Sequence, residues 1–244
     1  VSWFDPGHPA TALAALAIGL LAGLLVPRMV ALVPEPDPDP EAAPDAAPKL
    51  LYVDLAARRG LAWQAAVATG LASAVIGASV GWHWPLLVLL PAVPVCVALG
   101  YIDWHTRLLP SRLLLPAHAV LLALGVVAAL VSADLDALLR AVIAMLVVRS
   151  IFWMLWWIRS AGMGFGDVRL SALLAFGLGY LGWAEVVIGI YAGFVVFVAP
   201  GIVVALVRRD RGFLKSRIPF GPFMVIGALV GIATGPWIAG SLGY

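Results

Sequence analysis

The 244-residue chain is 63% hydrophobic and 11% charged, with a mean hydropathy of +1.04 and a net charge of +2. That balance excludes an ordinary soluble domain, in which charged residues make up about a quarter of the sequence. The single cysteine, Cys96, lies inside an apolar run and excludes both a disulfide framework and a cysteine-based zinc site, so no metal centre is expected.

Apolar runs predict eight membrane-spanning helices, at 9–33, 62–82, 85–102, 112–131, 136–158, 167–182, 185–207 and 220–242. Each is close to the roughly 20 residues that a helix needs to cross about 30 Å of hydrocarbon. The fold class is therefore all-α, a polytopic membrane protein. The first run reads as a span rather than a cleavable signal, because Asp5 and no basic residue precedes it. Three regions follow: 1–33 with the first helix, 34–61 as a loop, and 62–244 as a seven-helix membrane domain. The loop begins Pro34-Glu35-Pro36-Asp37-Pro38-Asp39-Pro40, and its Pro-, Ala- and acid-rich composition predicts an extended linker. Within it, 54–64 reads as the start of an interfacial helix leading into the second span.

Basic residues set the orientation. With the N-terminus outside, 13 of the 15 Lys and Arg fall in inside loops. Only Arg140 lies outside, and Arg149 sits within the fifth span, where it is expected to face the bundle interior. This asymmetry is the positive-inside pattern. It points the basic clusters at membrane phosphates, and no feature points to nucleic acid. Glycines at four-residue spacing, Gly227, Gly231 and Gly235 in the last span and Gly189 and Gly193 before it, predict close helix packing.

Under this topology two acidic residues meet at the cytoplasmic face. Asp103, in Tyr101-Ile102-Asp103-Trp104-His105, closes the third span. Asp167, in Gly162-Met163-Gly164-Phe165-Gly166-Asp167-Val168-Arg169-Leu170, opens the sixth. A carboxylate at the edge of hydrocarbon is costly and is a functional candidate for that reason. Gly164 and Gly166 would let the backbone leave the helix and another chain approach closely. About 4 Å apart, two full charges repel by roughly 4 kcal/mol at an effective dielectric near 20, so the pair would share one proton. One would then act as general base on a water and the other as general acid on a carbonyl oxygen. Position on the helix dipoles predicts Asp167 as the resting carboxylate and Asp103 as the resting acid.

The residues carrying this chemistry also carry a resemblance. Asp103 followed by Pro110-Ser111-Arg112-Leu113, then Gly164-Phe165-Gly166-Asp167-Val168-Arg169-Leu170, then Pro219-Phe220-Gly221-Pro222-Phe223 resemble three motifs of the prepilin peptidases. These are bacterial relatives of the GxGD intramembrane aspartyl proteases. The resemblance implies cleavage of type IV prepilin-like precursors by Asp103 and Asp167 at the cytoplasmic face. Gly164, Gly166, Pro110, Arg169, Pro219, Phe220, Gly221 and Pro222 would support the motifs. The implied setting is the bacterial inner membrane, in type IV pilus or type II secretion machinery. The partners would be a precursor with a basic leader and an apolar helix, together with membrane lipids. The peptidase would need no cofactor. Some members also N-methylate the product with S-adenosylmethionine, but the first loop here has none of the cysteines found in larger members, which leaves that activity open.

Two other readings remain. A proton- or cation-coupled transporter would use the same two aspartates, although it calls for carboxylates near the membrane midplane. Gly77-Ala78-Ser79-Val80-Gly81 with His83 matches a serine-hydrolase pattern, but the strand-to-helix elbow it requires has no place in an all-helical chain.

Overall fold

In a computed structural model, residues 8–35, 50–158, 163–208 and 219–241 are described. They form ten helices and no strand: α1 (Pro9–Gly23), α2 (Val26–Ala31), α3 (Tyr52–Ala56), α4 (Leu61–Val80), α5 (Pro85–Thr106), α6 (Ser111–Ser132), α7 (Leu135–Ile158), α8 (Phe165–Leu181), α9 (Trp183–Arg208) and α10 (Gly221–Ser241). Five runs (α1 with α2, α4, α5, α6 and α7) are long and apolar enough to cross a membrane. With the shorter apolar stretches Trp183–Ala199 of α9 and Gly221–Gly235 of α10, the chain is a polytopic helical membrane protein. Of the loop expected over 34–61, residues 36–49 lie outside the described residues, as do the basic residues Lys49, Arg159, Arg209, Arg211, Lys215 and Arg217.

Two expected elements differ. The first run breaks at Leu24–Leu25, because Pro27 lacks an N–H and its ring would clash with the carbonyl four residues back. The interfacial helix starts earlier, at Tyr52. It is separated from α4 by Gly60, whose φ of +92° is a left-handed conformation suited to glycine. The two oxygens of Glu35 accept the N–H groups of Tyr52 and Val53 at 2.9 and 3.0 Å, which anchors the start of α3. Burial pushes the Tyr52 phenol up, and the Glu35 carboxylate adds to the shift. The Tyr101 hydroxyl donates to the Leu55 carbonyl, fixing α3 against the end of α5.

α8 is the centre of the bundle, buried from Leu170 through Tyr180. Small side chains let α7 pack against it: a Cβ on Gly179 would lie 2.7 Å from that of Ala144 and 2.9 Å from the Cα of Ala141. This settles Arg149. The inward stripe of α7 is Ala137, Ala141, Ala144, Val148 and Phe152, and Arg149 is exposed on the outer face instead of facing the interior. A guanidinium has no room where α7 meets Gly179. On the outer face its long stem can run toward the interface. Arg140 does turn inward. Its Nε donates to Gly179 at 2.8 Å and its Nη2 to Tyr180 and Leu181, each at 3.1 Å, capping the C-terminal end of α8.

The glycine spacing is realised between α9 and α10. A Cβ on Gly231 would fall 2.6 Å from the Glu185 carbonyl and 2.7 Å from the Cα of Gly189. Gly231→Val should therefore force the helices apart and destabilise the protein by about 1–3 kcal/mol. A lowered thermal midpoint in detergent checks this, and an unchanged midpoint would contradict the packing.

Candidate active site

Asp103 occupies the last turn of α5, one turn further into the helix than the sequence boundary at 102 implied. Its backbone carbonyl accepts the Arg107 N–H at 2.8 Å, and Arg107 then closes the helix in the left-handed conformation at φ 57°. The Asp103 side chain is 4% exposed, and its Oδ2 accepts the Gly221 N–H at 2.9 Å. Asp103 thus ends its own helix but faces the start of α10.

Asp167 lies in the first turn of α8 and is 7% exposed. Its Oδ2 accepts the Gly164 N–H at 3.0 Å, the reach-back bond of a helix cap. The two aspartates approach the same corner from different helices. A Cβ on Gly221 would lie 2.7 Å from the Asp103 Oδ2 and 3.4 Å from Leu170, which follows Asp167 by nearly one turn on the same face of α8. Gly221 thus brings the Asp103 carboxylate beside the first turns of α8, where Asp167 lies. Each carboxylate accepts a backbone N–H from a helix N-terminus, so position on the helix dipoles does not by itself separate the pair by protonation state.

The supporting residues divide by what they do. A Cβ on Gly166 would stand 2.5 Å from that of Leu109, so this glycine lets the turn after α5 lie against α8. Gly164 has φ −75° and room for a Cβ; its contribution is its N–H. The Pro110 carbonyl accepts the Leu113 and Leu114 N–H groups and starts α6. Ser111 then accepts a hydrogen bond from Arg169, whose guanidinium also lies 4.8 Å from the Phe165 ring centroid. Arg169 therefore ties α6 to α8 rather than reaching toward lipid. Pro219 leads into Phe220, whose carbonyl accepts the Phe223 and Met224 N–H groups to open α10, and Pro222 stands in the first turn.

The sequence alone does not reveal an aromatic cluster that fixes this entry. The Phe220 ring lies 5.0 Å from Phe197, 5.2 Å from Phe194 and 6.3 Å from Phe152. The Phe223 ring lies 5.5 Å from Phe197. Those partners come from α7 and α9, and in a membrane chain their phenylalanines read only as apolar residues. They hold the Gly221 N–H where Asp103 meets it.

Ser79 and His83 lie at the opposite end of the bundle, the first near the end of α4 and the second in the link to α5. They make no contribution to this corner.

Fold and site together define a polytopic membrane protein in which two buried aspartates converge at one end of a helical bundle. Residues 91–238, which contain both aspartates and the α10 entry, match the model of the type IV leader peptidase family. The chain belongs to that family. It is similar to the prepilin leader peptidase/N-methyltransferase of Stutzerimonas stutzeri, 32% identical over 179 residues, covering 72% of this chain and 59% of that protein. The same-named protein of Aeromonas hydrophila is 31% identical over 168 residues, covering 68% of this chain and 56% of its own. That of Pseudomonas aeruginosa is 32% identical over 176 residues, with shares of 69% and 58%. The chain thus spans about three fifths of the length of these curated relatives. No solved structure matches it.

Proposed function

We propose that the protein is an aspartic endopeptidase that removes the leader peptide from type IV prepilin-like precursors, with Asp103 and Asp167 as its catalytic pair. The observation carrying this reading is the convergence of two buried carboxylates, each with one oxygen held by a backbone N–H and the other left for chemistry. A water between the free oxygens gives its proton to one aspartate as its oxygen attacks the scissile carbonyl carbon. The other aspartate gives its proton to the carbonyl oxygen. Collapse of the tetrahedral intermediate breaks the C–N bond as the proton gained from water passes to the departing nitrogen and a hydroxyl proton returns to the other aspartate. The hydrogen bonds from Gly164 and Gly221 keep both side chains aimed at the reacting carbonyl.

Arg28, Arg58, Arg59, Arg107, Arg112 and Arg169 lie at the aspartate end, and the positive-inside rule makes that end cytoplasmic, in the bacterial inner membrane. Residues 62–244 then act as the catalytic membrane domain, 1–33 as an added helix and 34–61 as its cytoplasmic loop. The precursor presents a basic leader in the cytoplasm and an apolar helix in the bilayer, where lipid surrounds both partners. The relatives' names include N-methylation, for which S-adenosylmethionine is the methyl donor.

A transporter expects its carboxylates near the midplane, and no observation favours that reading. Co-expression with a type IV prepilin is the test. Cleavage by the wild type and by Ser79→Ala is the expected result, and loss of cleavage in Ser79→Ala would transfer the chemistry to the serine motif.

A further inference from the structure

A cavity of about 540 Å³ lies across the bundle from the aspartate pair. It opens where α4, α6 and α8 end and where α5, α7 and α9 begin. The 18 residues of α5 between Pro85, in its wall, and Asp103 place it about 27 Å from the aspartate corner. The serine-motif residues Ser79 and His83 line it, together with Trp84, Asp134, Arg140 and Glu185.

Two carboxylates, Glu185 and Asp134, face one guanidinium, Arg140, in this cavity. Glu185 is 6% exposed, and among the described residues no other residue donates a hydrogen bond to its side chain. It is a buried acid in the lining of a polar cavity. Asp134 adds a second carboxylate at the rim, one oxygen of which accepts the Ala137 N–H at 2.9 Å. Arg140 acts on Glu185 from nearby, but with three hydrogen bonds committed to the last carbonyls of α8 it supplies a single positive charge to two carboxylates. A buried carboxylate is expensive to desolvate, and a bound cation offsets that cost. Trp84 offers an aromatic face in the same wall, a surface that attracts organic cations. No three His, Cys, Asp or Glu side chains among the described residues converge as metal ligands, which favours an organic cation over a divalent ion.

We propose that this cavity is a second binding site, for a small organic cation carrying an alkylammonium or guanidinium group, received at the face opposite the aspartates. The site stands independently of the peptidase reading. Its chemistry can be supplied by a free amine or by a Lys or Arg side chain of a polypeptide. Agmatine and a short capped Gly-Arg-Gly peptide separate the two sources.

Titration calorimetry on the detergent-purified full chain tests the proposal. Wild type should bind agmatine, the peptide or both, and fail to bind propionate. Glu185→Gln should weaken the binding by about thirty-fold or more, as expected when one member of a buried charge pair is removed. Carbodiimide labelling of Glu185 in the wild-type chain, read by peptide mass spectrometry, keeps the test open should the variant not accumulate. A bound cation should slow the labelling. Absence of cation binding, equal binding by Glu185→Gln, or labelling unaffected by either cation would overturn the proposal.

Discussion

Asparagine in place of Asp103 or Asp167 is expected to lower cleavage of a type IV prepilin by about 10²–10⁴-fold, the usual contribution of a positioned general acid or base. The substitution removes the proton-transfer group while leaving an amide oxygen that can still accept the N–H of Gly221 or Gly164. Each variant should therefore insert and purify as the wild type does. That separates a chemical loss from a folding loss, which replacement by alanine would not. The measurement is the cleavage rate of purified protein at saturating precursor, beside thermal midpoints. Rates within a few-fold of wild type for either variant would remove that aspartate from the reaction.

The second large effect concerns a residue with no side chain. Gly221→Ala is expected to cost about 100-fold in kcat, because a displacement near 1 Å of a reacting group has consequences of that order. The new Cβ would lie 2.7 Å from the Asp103 Oδ2 and 3.3 Å from its Cγ, so the carboxylate must swing away from its hydrogen bond. KM should change little, since the precursor is held elsewhere. Gly164→Ala is the contrast. Its Cβ would meet the Asp167 Oδ2 at 3.6 Å, an ordinary contact, and its N–H would remain in place. It should lose far less activity. Equal losses from the two substitutions would mean that the glycines act through flexibility rather than through the space beside the aspartates.

Hydrocarbon length made most of the architecture legible. Runs such as 112–131 and 136–158 correspond to α6 and α7 within a few residues, because in a bilayer the backbone must satisfy itself as helix. Asp103 and Asp167 stood out for the complementary reason, as carboxylates at the edge of such runs. Which face of a helix points inward was harder to read. Arg149 was expected inside and lies outside, because the small residues of α7 that fit Gly179 select the buried stripe, whatever the charge nearby. Relations between distant segments were not legible either. Asp103 at the start of α10, Arg169 on Ser111, and the phenylalanines that seat Phe220 all join helices far apart in the chain, and periodicity within one helix carries no information about them.

Under the proposed mechanism the aspartates act as one unit sharing a water, and a double-substitution cycle measures this directly. Single-turnover cleavage of a prepilin should fall to a common floor in Asp103→Asn, Asp167→Asn and the combined variant, because removing either half of a unit already removes its function. Losses that multiply in the combined variant, or a combined variant that still releases the leader at an appreciable rate, would contradict a shared site.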